Sequence, residues 1–231
     1  MEYYICAVLL VLTVIVYRII FKTSIKEIKG LENNEELNEI TDKFPDDIEI
    51  AEEMLDMLGN KNVKVEKAKN TKTSLYIAIT NKIIIADMKN NYARIQTIAH
   101  ECIHSGQDRR LLFFNFIFSN ISLLYFVIIT LLTLFKVIDI SMSQVFILTL
   151  LALIKFSVRS FLEIDAMMKS RYLAKEYMEK KELISNEEED TLIAGYDKIN
   201  RLGIPFVVNN LLTNAIVQIL VYMAVGLIMM Q

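Results

Sequence analysis

The sequence predicts a mainly α fold: a four-span helical membrane protein with a small cytoplasmic α+β part. Three observations carry this reading. The 231 residues are 54% hydrophobic with only 6 Gly and 2 Pro, and the mean hydropathy is +0.37, so the chain is helix-rich and too apolar for an ordinary soluble domain. Four apolar runs approach or exceed the roughly 20 residues a helix needs to cross a bilayer. Between them lie polar segments in which the hydrophobic period changes from helix-like to strand-like. The formal net charge of −3 gives no basic footprint, so no nucleic-acid partner is expected. Cys6 in an apolar run and Cys102 in a polar one make no disulfide framework.

In chain order, residues 1–22 read as an N-terminal transmembrane anchor, with its apolar run from Tyr3 to Phe21. It has no basic stretch before it and no small-residue cleavage site after it, so it is retained rather than removed. Residues 23–110 read as a cytoplasmic α+β segment. Its start is acidic, from Glu32 through Asp42, Asp46, Asp47 and Glu49 to Asp56, as a solvated linker and helix face would be. A helix from Pro45, with acids in its first turn, carries the apolar stripe Ile48, Ala51, Met54, Leu55 and Leu58, and Gly59 suits its end. Val63 and Val65 alternate with polar neighbours. Ser74 to Thr80 and Lys82 to Asp87 are β-branched runs joined at Thr80-Asn81, which predicts two or three short strands. Asn90 or Asn91 then caps a helix from Tyr92 to about Asp108, with Ile95, Ile98, Ala99 and Cys102 on its inner face.

Residues 111–158 read as a transmembrane hairpin, Leu111 to Phe135 and then a shorter run from about Val145 to Val158. Residues 159–204 read as cytoplasmic helices: one continues the third span to about Lys181, and another is opened by the Ser185/Glu188 capping box and stopped at Leu202 by Gly203 and Pro205. Residues 205–231 form the C-terminal transmembrane helix. Arg18, Lys22, Lys26 and Lys29 follow the first span and none precedes it, while Arg159, Lys169, Arg171, Lys175, Lys180 and Lys181 follow the third. The positive-inside rule then places both polar segments in the cytoplasm of a multi-pass cell-membrane protein.

Both histidines of the chain fall in one string, His100-Glu101-Cys102-Ile103-His104. This is HExxH, a zinc-site signature of metallopeptidases. Residues four apart share a helix face, so two imidazoles there can chelate one tetrahedral Zn²⁺. Glu101 can act as the catalytic base, taking a proton from a water whose pKa the metal lowers to about 7. Cys102 lies about 200° around the helix from His100, so it packs rather than ligates. Catalytic zinc takes three protein ligands, and with no third His the candidates are acids or Cys6. Cys6 sits deep in the first span. Helix geometry favours Glu163, because His104 just before the second span and Glu163 just after the third reach similar heights. Asp165 is the rival, pointing about 200° away from Glu163.

The stretch Ile50-Ala51-Glu52-Glu53-Met54-Leu55, then Asn62-Val63-Lys64-Val65, Asn81-Lys82-Ile83-Ile84-Ile85, and Thr97-Ile98-Ala99 running into the histidine string with Gln107, resembles the membrane-bound neutral zinc metallopeptidases of the YugP type. Glu163-Ile164-Asp165-Ala166 matches that family's second motif. The similarity covers about 45–175. Ile103 and Cys102 stand where the family has Gly and Val, and the basic residues after the second motif are shifted to Lys169 and Arg171. The resemblance implies a gluzincin-like, zincin-like metalloprotease part, with one Zn²⁺ per chain on His100, His104 and Glu163 and with Glu101 as base. The expected function is an integral-membrane zinc endopeptidase acting on peptide or membrane-protein substrates. The strand Lys82–Asp87 is open to two readings, pairing with an extended substrate by β-addition or plain packing over the helix. Two other classes compete: a non-catalytic membrane scaffold that retains a structural metal, which would have no use for Glu101, and a small transporter. The transporter reading rests on Asn115, Ser119, Ser122, Asn210, Asn214 and Gln218 within the spans.

Overall fold

The computed structural model describes residues 1–21, 34–68, 73–88 and 91–230. Lys22, Lys26, Lys29, Glu32 and Asn90, which entered the readings above, lie outside the described residues. The elements in chain order are α1 (Glu2–Phe21), α2 (Glu35–Thr41), α3 (Asp47–Met57), β1 (Lys64–Lys67), β2 (Leu75–Ile77), β3 (Lys82–Ile85), α4 (Arg94–Gly106), α5 (Arg109–Leu134), α6 (Met142–Lys181) and α7 (Asn186–Met229). Among the described residues the fold is mainly helical, with a small three-stranded sheet. Four helices, α1, α5, α6 and α7, are long and apolar enough to cross a membrane. The third apolar run is a full-length helix, and α6 continues through it to Lys181 as its sequence indicates.

The chain forms two compact units: residues 1–23, 114–161 and 205–231, and residues 24–113 and 162–204. In the first, Ile129, Val145, Leu148, Ala152, Ala215, Ile219 and Tyr222 form a core, with Tyr3, Cys6 and Leu10 of α1 packed on it. In the second, α3, α4 and the sheet enclose Ile50, Met54, Ile83, Ile85, Ile95 and Ile98, and Tyr177, Met178, Leu192 and Tyr196 of α6 and α7 join the same cluster.

Local chemistry explains most boundaries in the second unit. Asp46 caps α3 by accepting from the Ile48 amide at 3.0 Å. Gly59 ends that helix at φ +68°, where a side chain would be strained. The Asn60 amide donates to the Leu55 carbonyl and the Gly59 amide to the Asp56 carbonyl, the paired bonds of a Schellman motif. Ser185 and Glu188 bond reciprocally, amide to side chain in each direction, which opens α7 with the expected capping box.

Four expectations are corrected. The buried stripe of α3 is Asp47, Ile50, Ala51, Met54 and Leu55, whereas Leu58 is 39% exposed and Ile48 only partly buried. The stripe turns because Asp47 is drawn inward by Arg94. The motif helix begins at Arg94 rather than Tyr92, and its N-cap Ala93 makes no side-chain bond; Asn91 instead accepts from the Ala93 amide in the turn before it. Gly203 and Pro205 do not end the preceding helix, since α7 runs from Asn186 to Met229 through Pro205. Pro205 forgoes one helix bond, and Gly203 is a packing glycine: a Cβ there would lie 2.8 Å from Met167 Cε. Finally, β3 is the middle strand, parallel to β1 and antiparallel to β2. Both its edges are taken, so it cannot pair with a substrate strand.

The guanidinium of Arg94 organises the turn before α3. It donates to the carbonyls of Thr41, Phe44 and Pro45 at 2.7–2.9 Å and to Asp47 at 2.8 Å, with Arg94 only 5% exposed. Removing one partner of a buried pair leaves the other charge uncompensated. Arg94→Met should therefore lower stability by about 3–5 kcal/mol, read as a thermal unfolding shift of the purified chain. A loss below about 1 kcal/mol, the range of an exposed pair, would contradict this role.

Candidate metal centre

The helix α4 is amphipathic in a way that fixes the direction of its two histidines. Ile95, Ile98, Ala99 and Cys102 are 0% exposed against the core, which turns His100 and His104 to the opposite side. Cys102 is a packed thiol: its Sγ lies 3.7 Å from the Ala51 carbonyl, and burial pushes its pKa up.

The two imidazoles stand edge to face, with ring centroids 4.5 Å apart and Nε2 atoms 3.0 Å apart. A carboxylate oxygen of Glu163, on α6, lies 3.5 Å from His100 Nε2 and 3.8 Å from His104 Nε2. Among the described residues, these three side chains form a cluster able to hold a metal ion, with donor atoms within 4.8 Å of one another. The donor set can be tested for fit. Tetrahedral zinc with nitrogen and oxygen ligands at about 2.0–2.1 Å separates its donors by about 3.3 Å. The three separations bracket that value. Two neutral nitrogens and one carboxylate are also the donor chemistry of a catalytic rather than a closed structural site.

Glu101 is 7% exposed and is no member of the donor cluster. Burial raises its pKa; the nearby His100 and His104 imidazoles and the Tyr76 backbone amide pull the other way, and the balance is upward. For His104, burial favours the neutral ring, but the Glu163 carboxylate and then Gln107 outweigh it and raise the pKa.

Asp165, the rival ligand, is occupied elsewhere. It pairs with Lys169 at 2.7 Å and accepts from Gln107 Nε2 at 2.9 Å. Burial alone would raise its pKa, but Lys169 and Gln107 bring it below the usual range. Cys6 lies in the other unit.

One residue quoted in the sequence reading without a role proves to be a junction. Gln107 Oε1 lies 2.8 Å from His104 Nδ1, and Gln107 Nε2 donates to the Leu162 carbonyl at 2.8 Å as well as to Asp165. If Nδ1 carries the proton, His104 Nε2 is left as a lone pair aimed at the cluster. The same amide ties the end of α4 to the turn of α6 that carries Glu163. A Gln three residues after the second His was the available signal, since metal-binding imidazoles ordinarily donate to a partner through the other nitrogen. Gln107→Leu should weaken zinc binding by about 10–100-fold, measured by competition with a chelator of known affinity. Unchanged affinity would show that Gln107 does not orient the ligand.

No protein family model, curated protein or solved structure matches the chain.

Proposed function

We propose that this protein is an integral-membrane zinc endopeptidase with a zincin-like site, of the YugP type that its sequence resembles. The observation that carries the reading is the convergence of His100, His104 and Glu163 on one ion-sized gap, with the buried carboxylate of Glu101 beside the two imidazoles. His100, His104 and Glu163 would hold one zinc ion per chain, which would supply Lewis acidity toward a peptide carbonyl and make water acidic enough to react near neutral pH. Glu101 accepts the proton of that water and later delivers it to the departing amine. Gln107 holds His104 in the tautomer the site requires. An extended substrate pairs with an edge of the sheet; of the two edge strands, β2 is the one whose Tyr76 amide lies beside Glu101.

A scaffold that merely retained a metal would have no use for Glu101 in that position. The test is to strip the purified full chain with a chelator and assay a peptide library. Cleavage of internal bonds should vanish with the metal and return on adding zinc but not magnesium, which prefers an all-oxygen octahedral shell. Cleavage that survives complete zinc removal would refute the proposal.

The four apolar helices serve as spans, and the Lys and Arg residues after the first and third of them favour a cytoplasmic active site. In intact cells, a membrane-impermeant thiol reagent should miss cysteines introduced at Ser74 or Ser185 and reach one at Asp139, between α5 and α6. Labelling at Ser74 from outside would invert the topology.

A further inference from the structure

The helix α5 buries a mostly polar face. The buried residues of α5 are Asn115, Ser122, Ile129 and Thr133, a single stripe at helical spacing on which three of four side chains are polar. Its outward face is Phe116, Ile117, Ile121, Leu124, Ile128 and Leu131, all exposed. In the other two long helices the pattern recurs: Ser160 of α6 and Asn209 of α7 are 7% and 2% exposed. Asn115 Oδ1, Ser122 Oγ, Ser160 Oγ, Asn209 Oδ1 and Thr213 Oγ1 are buried without a hydrogen-bond partner. Hydroxyls elsewhere on these helices bond back to their own backbone, as Thr130 and Thr149 do.

Lys155 is half-buried among these helices. It is three residues after Ala152 and seven after Leu148, which are 4% and 0% exposed, so it shares their packed stripe. Helical side chains lean toward the helix N-terminus, which directs the amine away from the nearer end of the apolar run and against snorkelling. Its bonded partner is a neutral one, Gln218 Oε1 of α7 at 3.4 Å. The polar groups fall at matching depths. Ser122 stands twelve residues before the end of α5 and Lys155 thirteen after the start of α6, so across this hairpin they are level. Asn115 and Ser160 are level one to two turns away. From the Lys155–Gln218 pair, the antiparallel register brings Thr213 opposite Ser160. The four apolar runs contain no Asp or Glu, so the chain offers the amine no counter-ion there. A half-buried cation with no counter-ion and an orphaned hydroxyl level with it, Ser122 Oγ, are costly among apolar helices, and an anion that met both would offset the cost.

We propose that the apolar unit binds one anionic group, a carboxylate or phosphate, at Lys155. The Ser122 hydroxyl, level with Lys155, donates to it. This site is separate from the metal centre and does not depend on the peptidase reading. The group can come from an anionic lipid or from a soluble anion, and the test separates the two.

The purified full chain in neutral detergent is offered equal amounts of phosphatidylglycerol and phosphatidylcholine, and retained lipid is counted by native mass spectrometry; inorganic phosphate is the second arm. Wild type should hold one phosphatidylglycerol per chain in preference to phosphatidylcholine. Lys155→Gln should reduce that occupancy at least tenfold and Lys155→Arg should preserve it, with an unchanged thermal unfolding profile in both as the check on folding. One phosphate bound in a Lys155-dependent way, with no lipid retained, assigns the site to a soluble anion. Equal occupancy in wild type and Lys155→Gln, or no saturable anion in wild type from either arm, overturns the proposal. If Lys155→Gln fails to fold, Lys155→Met is read in its place with the same two outcomes.

Discussion

Glu101→Gln should retain one zinc per chain and a native unfolding profile while losing at least 10²-fold in peptide hydrolysis, the low end of what a positioned general base supplies. The separation follows from the geometry. The carboxylate is buried beside the imidazoles but outside the donor cluster, so its replacement by an amide of the same shape removes proton transfer and leaves the ligands in place. The Tyr76 amide that acts on this carboxylate can bond the amide oxygen instead. Substrate should still dock, so the variant should behave as a trap that co-purifies with uncleaved peptide. Turnover by Glu101→Gln equal to wild type would end the peptidase reading and favour the scaffold.

Glu163→Ala should weaken zinc binding by at least about 100-fold, more than loss of a partner outside the donor set costs, because two imidazoles alone leave the ion short of the three protein ligands a catalytic site uses. Asp165→Ala, two residues on, should cost far less, since Asp165 is engaged by Lys169 and Gln107. Chelator competition on the two variants ranks them directly. If Asp165→Ala released the metal and Glu163→Ala kept it, the ligand assignment would be wrong.

What could be read from the sequence was what depends on neighbours along the chain. The i, i+4 spacing of His100 and His104, the φ demanded at Gly59, the Ser185/Glu188 box and the inward side of Cys102 are each decided within one or two turns. The features that were missed depend on partners distant in the chain. The face of α3 turns because Asp47 meets Arg94, 47 residues on. The helix α7 passes through Gly203 because that glycine accommodates Met167, so a residue that reads locally as a stop is a contact. The middle position of β3 comes from its parallel pairing with β1, which alternation of apolar residues does not reveal. Gln107 belonged to a motif without an evident task until its amide met Leu162 and Asp165. Lys155 passed as part of an apolar run because the hydrophobic residues of Val145–Val158 dilute one charge, and only its place on the Leu148–Ala152 stripe turns it toward the neighbouring helices.

In the proposed site His100, His104 and Glu163 hold one zinc ion. Zinc-edge X-ray absorption on the purified full chain, with metal content from the same sample, tests it most directly. About one zinc per chain is expected, in a nitrogen and oxygen shell at about 2.0–2.1 Å with two imidazoles. A chain that takes up no zinc, or a shell with sulfur at about 2.3 Å from Cys102 or Cys6, would contradict it.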